Sequence, residues 1–290
     1  MMARVGFYPQ SGFFLYQDLP EPKKGADGVY LSNLLSKQAQ IDPENYNLAV
    51  LSAQSGTPVN FGEAPEKEVL FCGLQIEEIK EFQNFILKEK VFPQSVEIST
   101  LPMLGALKDY LAYSEITDPV LFLELGMKSS HAFILSNGKV VEYRKLSQGM
   151  HRIMSMVQSE LGLKDIKAAA RLFNSDTFDF QEMGPRLTSH LLKEINAFTS
   201  FYEVEKGETV RHIHCASVSG KLPWLIKSLA KLMMVDPVEI SYENWFQDRG
   251  IDFETPEMAA NLPFNFLGIV GLMLNSSPQT EENGTQEETA

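Results

Sequence analysis

The stretch 119–147, PVLFLELGMKSSHAFILSNGKVVEYRKLS, constrains the fold more than any other part of the chain. Leu121, Leu123 and Leu125 alternate with Phe122 and Glu124, the period-two pattern of a strand. A second strand is predicted over 131–135. Asn137-Gly138 is the strongest hairpin signal present, because the tightest favoured turn needs φ > 0 at both central residues. The turn between the first two strands carries the chemistry. Gly126-Met127-Lys128-Ser129-Ser130 supplies a glycine, a lysine and two hydroxyls directly after the acidic Glu124. Such a turn can offer backbone N–H groups to a phosphate while the carboxylate orients a metal-bound water. A polar turn with nothing bound has the same composition, and short phosphate-loop patterns match many unrelated turns.

The downstream pattern gives that turn a context. After a Gln148-Gly149 turn, helices are predicted over 151–161, 165–173 and 185–201. A strand follows over 211–218, then a helix over 223–234 opened by Ser219-Gly220, with Pro223 near its first position, where a missing N–H costs nothing. A short strand at 238–240, a turn of helix at 257–260 and an apolar helix over 263–274 complete this half. Upstream, strands are predicted over 4–8, 13–16, 46–51, 69–72 and 95–98, and helices over 30–38, 76–88 and 102–113. Three antiparallel strands followed by alternating strands and helices make a mixed sheet covered on both faces. That order resembles the ribonuclease-H-like lobe of the actin, sugar-kinase and Hsp70 group of ATPases, and 66–113 reads as the later part of a first such lobe. The segment 276–290 is acidic and nearly free of apolar residues, which predicts disorder.

Bulk properties exclude several functions. An apolar fraction of 44% belongs to a globular protein, and a net charge of −13 argues against sequence-independent nucleic-acid binding or docking on an anionic membrane. No run approaches the roughly 18 apolar residues that span a bilayer. The candidate at 264–274 is interrupted by Asn265, Gly268 and Gly271. Cys72 and Cys215 sit in separate apolar runs and read by default as buried free thiols of a reducing compartment, with a disulfide between them as the alternative. A cytoplasmic protein is expected.

Over roughly residues 4–275 the chain resembles the PilM family, the cytoplasmic actin-like proteins of type IV pilus assembly. Val5-Gly6-Phe7-Tyr8-Pro9-Gln10, then Phe14-Leu15-Tyr16 and Leu19-Pro20, are similar to the opening of that family's small inserted subdomain. Leu123-Glu124-Leu125-Gly126 with Ser129 resembles the second phosphate motif, Gly149 the glycine-containing turn, and Ser217-Val218-Ser219-Gly220 the adenosine motif. The resemblance implies a two-lobed α/β actin-like fold, with a small inserted subdomain at 1–65. The rest of the first lobe falls at 66–116, the second lobe at 117–275 and an acidic tail at 276–290, and the first lobe is incomplete at its N-terminus. It implies an ATP–magnesium site built on Glu124, Gly126, Ser129, Ser130, Gly149, Ser219 and Gly220, without catalytic residues. It also implies a partner: the cytoplasmic N-terminal tail of a PilN-like inner-membrane protein docked on the small subdomain, where the strands at 4–8 and 13–16 supply an edge.

Departures from the family pattern weaken the nucleotide site. The first phosphate hairpin is expected to be missing, Glu124 stands where Asp is usual, and Ser219 adds a Cβ where a glycine is usual. Phosphoryl transfer depends on several positioned groups acting together, so nucleotide binding is expected to be weak or absent. The reading is a cytoplasmic scaffold held at the inner membrane through its partners. A working ATPase or small-molecule kinase of the same fold is the alternative, and a filament-forming protein a third.

Other constellations read as structural. His212 and His214 share a strand face without an evident third ligand. Asp176, Asp179 and Glu182 read as a solvated connector, while Trp245-Phe246, Met150 and Met154 read as core.

Overall fold

The computed structural model describes residues 2–63, 65–173, 175, 178–217, 222–252 and 266–274. The N-terminal half runs β1 (Met2–Phe7), β2 (Phe13–Asp18), α1 (Gly28–Gln38), β3 (Tyr46–Ser52), β4 (Glu68–Gln75), α2 (Ile76–Lys88), β5 (Phe92–Ile98) and α3 (Thr100–Tyr113). Local chemistry sets these elements. The Asp27 carboxylate caps α1 by accepting from the Val29 and Tyr30 amides, and Glu77 and Glu78 place negative charge at the start of α2. The second half runs β6 (Val120–Leu125), β7 (Ser130–Ser136), β8 (Lys139–Leu146), α4 (Met150–Glu160), α5 (Ile166–Phe173), α6 (Gly184–Leu187), α7 (Ser189–Lys206), β9 (His212–Ser217), α8 (Pro223–Met233), β10 (Asp236–Pro237), α9 (Tyr242–Asp248) and α10 (Leu267–Leu274).

Strands of the second half form one mixed sheet in the order β10-β9-β6-β7-β8. β6, β7 and β8 are antiparallel, as their alternation predicts, and β9 and β10 run parallel to β6. Asn137 and Gly138 both take positive φ, 49° and 73°, the conformation that the β7–β8 turn requires. Every residue of β6 is buried, because helices cover both faces. Leu121, Leu123 and Leu125 join a core with α4, α5, α7 and α8 residues, while Val120 and Phe122 join another with α3, α9 and α10. Cys72 and Cys215 are buried free thiols, and burial pushes each up to about 12.

The N-terminal half divides differently from the expected boundary at residue 65. β4, expected beyond it, is the central strand of a three-stranded antiparallel sheet, β2-β4-β3. β1, expected inside the small subdomain, pairs instead in parallel with β5. Strand composition reveals a strand and not its partner, so these long-range pairings lie beyond local pattern. β1 beside β5 with α3 following repeats the layout of β6 beside β9 with α8 following. The two halves are joined directly: the Val140 amide donates to the Ala53 carbonyl at 3.0 Å, and Lys139 pairs with Glu68 at 3.1 Å.

Three smaller differences have local causes. The helix expected over 185–201 is broken at Thr188, whose hydroxyl bonds the Gly184 carbonyl at 2.8 Å, and α7 then continues to Lys206. The strand expected at 238–240 is displaced to Asp236–Pro237. The Val238 amide still donates to the Ile213 carbonyl at 2.8 Å, but the next carbonyls go to side chains, that of Val238 to His214 Nδ1 and that of Glu239 to the Tyr110 hydroxyl. α9 had no predicted counterpart; Trp245 and Phe246 bury it, and Trp245 Nε1 donates to Asp109 of α3 at 2.7 Å. The predicted turn of helix at 257–260 and the acidic tail lie outside the described residues. Among the described residues no helix is long and apolar enough to cross a membrane.

Candidate functional site

Glu124 lies on the β6 face that carries Phe122, directly across from His131 of β7. It is only 3% exposed. The Thr100 hydroxyl, at the start of α3, donates to Glu124 Oε2 at 2.6 Å. Burial raises the carboxyl to about 7, and the Thr100 hydrogen bond draws it partly back. Of its neighbours, His131 and Tyr143 are half-buried and Tyr8 is 43% exposed. His131 Nδ1 lies 2.9 Å from the Tyr143 hydroxyl, and burial, aided by Lys145, lowers the imidazole to about 4. Burial and then the Glu124 charge raise Tyr8 to about 12 and also raise Tyr143. Phe14 of β2 packs edge-on against His131, Phe133 and Tyr143, with centroids 5.3, 5.3 and 5.6 Å apart.

The turn after Glu124 is built against α4. A Cβ at Gly126 would lie 2.3 Å from the Ser129 carbonyl, so only glycine fits there. The Gly126 and Met127 carbonyls accept from the Met150 and His151 amides, each at 2.9 Å, so the turn caps the helix N-terminus with its oxygens. Gly149 permits that approach, since a Cβ on it would lie 2.7 Å from three backbone atoms of residues 126–128. Gly149→Ala is therefore expected to lower stability by about 2 kcal/mol, read as a fall in the thermal midpoint.

Ser130 is wholly buried, and its hydroxyl donates to the Gln148 carbonyl at 2.7 Å. The half-buried Ser129 hydroxyl makes no hydrogen bond among the described residues. Glu194 of α7 holds the Ser147–Gln148 turn through the Ser147 amide at 2.6 Å and Gln148 Nε2 at 3.2 Å. Burial works to raise Glu194, and these bonds outweigh it and leave the carboxyl below its ordinary value.

Of the residues predicted to hold a nucleotide, Glu124, Gly126, Ser129, Ser130 and Gly149 come together around one turn. Ser219 and Gly220 lie outside the described residues. Thr100, His131 and Tyr143 are contributors that the sequence did not single out, because they meet Glu124 only through the tertiary fold. The paired histidines part company: His212 faces Asp118 at 3.9 Å, and His214 donates to Val238.

A concavity lies between the end of α1, the start of β3 and the start of α2. This groove of about 530 Å³ is lined by Asp42, Glu44, Tyr46, Gln75, Ile76 and Glu77 among others, with no Lys or Arg among its described lining residues. Beside it, Glu78 accepts from the Gln10 and Ser11 amides at 2.6 and 2.9 Å and pins the β1–β2 connection to α2. β1 and β2 each form the edge of their sheet.

No family model matches the sequence, and no curated protein matches it. The structure places the chain in the actin-like ATPase fold. A solved PilM–PilN type IV pilus biogenesis complex superposes with a TM-score of 0.66 at 16% identity, over 92% of this chain and 77% of that one. A Bacteroides thetaiotaomicron protein with actin-like ATPase fold and unknown function matches at a TM-score of 0.43 and 7% identity, over 94% and 73% of the two chains. The archaeal actin homolog Ta0583 matches at 0.41 and 13% identity, over 63% and 54%.

Proposed function

We propose that this chain is a PilM-like scaffold of a type IV pilus or related secretion-type assembly. It holds the cytoplasmic N-terminal tail of a PilN-like inner-membrane protein, and through that tail it resides at the cytoplasmic face of the membrane. The observation that carries the reading is the superposition on the PilM–PilN complex over nearly the whole chain. The groove beside the small sheet supports it, because its carboxylates suit a short extended segment bearing Lys or Arg. The loss of nucleotide chemistry is supported by the enclosure of Glu124, whose carboxyl is engaged by Thr100.

Calorimetry tests the docking, with a synthetic peptide of the N-terminal segment of the inner-membrane protein encoded beside this chain. Saturable binding is expected. Glu44→Lys with Glu77→Lys should weaken it at least tenfold, a loss of about 1.4 kcal/mol. Absence of heat with every candidate tail overturns the docking. A thermal-shift titration with magnesium and ATP tests the nucleotide site separately. A ligand at about a hundred times its dissociation constant would raise the midpoint by roughly 5 °C. No shift is expected, and one of that size would restore the ATPase alternative.

A further inference from the structure

We infer that Glu124 and Thr100 form a latch that closes the N-terminal half of the molecule against the five-stranded sheet without any nucleotide. Thr100 belongs to a rigid junction. The Ser99 amide donates to the Phe7 carbonyl at 2.8 Å, tying the start of α3 to the end of β1. Gly6 lets the two approach, since a Cβ on it would lie 2.9 Å from Ser99 Oγ. The ends of β1 and β5 and the first turn of α3 therefore move as one piece. Glu124 belongs to the other piece, fixed on β6 between β7 and β9. The 2.6 Å hydrogen bond between them joins residues 24 positions apart, and both are buried, so water does not compete for it.

Side-chain length is what makes the latch. Removing one methylene from Glu124 retracts the carboxylate by about 1.5 Å, which opens the bond to roughly 4 Å, beyond hydrogen-bonding distance. Aspartate would keep the charge and lose the contact. Glutamine would lose the charge and keep an oxygen for Thr100 to reach. The groups that face Glu124 from the packed elements, Tyr8, His131 and Tyr143, are aromatic or neutral side chains that leave Thr100 as its hydrogen-bond donor among the described residues. The latch rests on the reading that this site has left nucleotide chemistry, and it fails independently of it.

Hydrogen exchange of the full chain, free of nucleotide, tests the latch. Glu124→Asp and Thr100→Val should each speed exchange at least tenfold at residues 103–104 of α3 and 122–125 of β6. Read near pH 4, where the carboxyl is protonated in the folded and unfolded chain alike, Glu124→Gln should exchange at these amides like the unaltered protein, and α7 should retain its protection in all three. Should Glu124→Asp fail to fold, Thr100→Val, which preserves shape, carries the test alone. Unchanged exchange in the variants that break the bond overturns the latch. Equal loosening in Glu124→Gln also overturns it, as does loss of protection extending to α7. Nucleotide binding in the thermal-shift titration would overturn the scaffold reading and leave this result standing.

Discussion

Gly271→Ala is expected to destabilise the protein by about 3 kcal/mol, the upper part of the usual range for forcing atoms into a packed interior. α10 lies against the first turn of α3, and a Cβ at Gly271 would sit 1.9 Å from the Pro102 carbonyl oxygen, backbone that has no rotamer to escape through. A Cβ at Gly268, one turn earlier, would lie 3.2 Å from the Met103 side chain, and one at Gly6 of β1 would lie 3.3 Å from Leu272 of the same helix. α10 thus clamps β1 to α3, and displacing it uncovers the apolar layer that includes Leu267, Val270 and Trp245. Gly105→Ala provides the contrast. Gly105 is exposed on α3 and a methyl group there would meet nothing within 4 Å, so the substitution should stabilise by about 1 kcal/mol through helix propensity alone. Urea denaturation of both variants measures the pair. A midpoint for Gly271→Ala equal to that of the unaltered protein would show that α10 does not need this approach.

The same glycines mark how far the sequence could be followed. Gly268 and Gly271 are legible as interruptions of an apolar run, and that is enough to exclude a spanning helix. Their purpose is not legible, because Pro102 lies far away in the chain. Local patterns place α2 and the β6–β7–β8 meander closely, and the positive φ values of Asn137 and Gly138 bear out the hairpin. These features depend on neighbours a few residues apart. The partner of β1, the central position of β4 and the break at Thr188 depend on what packs against them. The candidate site divides in the same way. Gly126 and Gly149 are recognisable from their motif, yet the sequence suggests N–H groups facing a phosphate, whereas the Gly126 and Met127 carbonyls face α4. The extra methylene of Glu124 was visible as a departure from the family pattern. Its destination, the Thr100 hydroxyl, emerges only once β5 and β6 are placed in space.

Glu124→Gln is expected to stabilise the protein at pH 8 by about 3 kcal/mol and to have little effect near pH 4, a crossover set by burial of the carboxyl. The folded carboxyl lies near 7, against an ordinary value of 4.5. Below 4.5 it is protonated whether the chain is folded or not, and its full contribution to stability is present. Between 4.5 and 7 the unfolded chain releases the proton while the folded chain keeps it, so stability falls as pH rises through this window. Above 7 the folded protein carries a buried carboxylate, and the loss levels off at roughly 3 kcal/mol, at about 1.4 kcal/mol per pH unit. His131 does not confuse the profile above pH 5, because burial holds it near 4 and it stays neutral there. Glutamine has no proton to lose and still offers Thr100 an oxygen, so the variant should lack this slope while keeping the contact. Urea midpoints taken from pH 4 to pH 8.5 check the prediction. Parallel profiles for the two proteins would place the Glu124 carboxyl in water rather than in the core that encloses it.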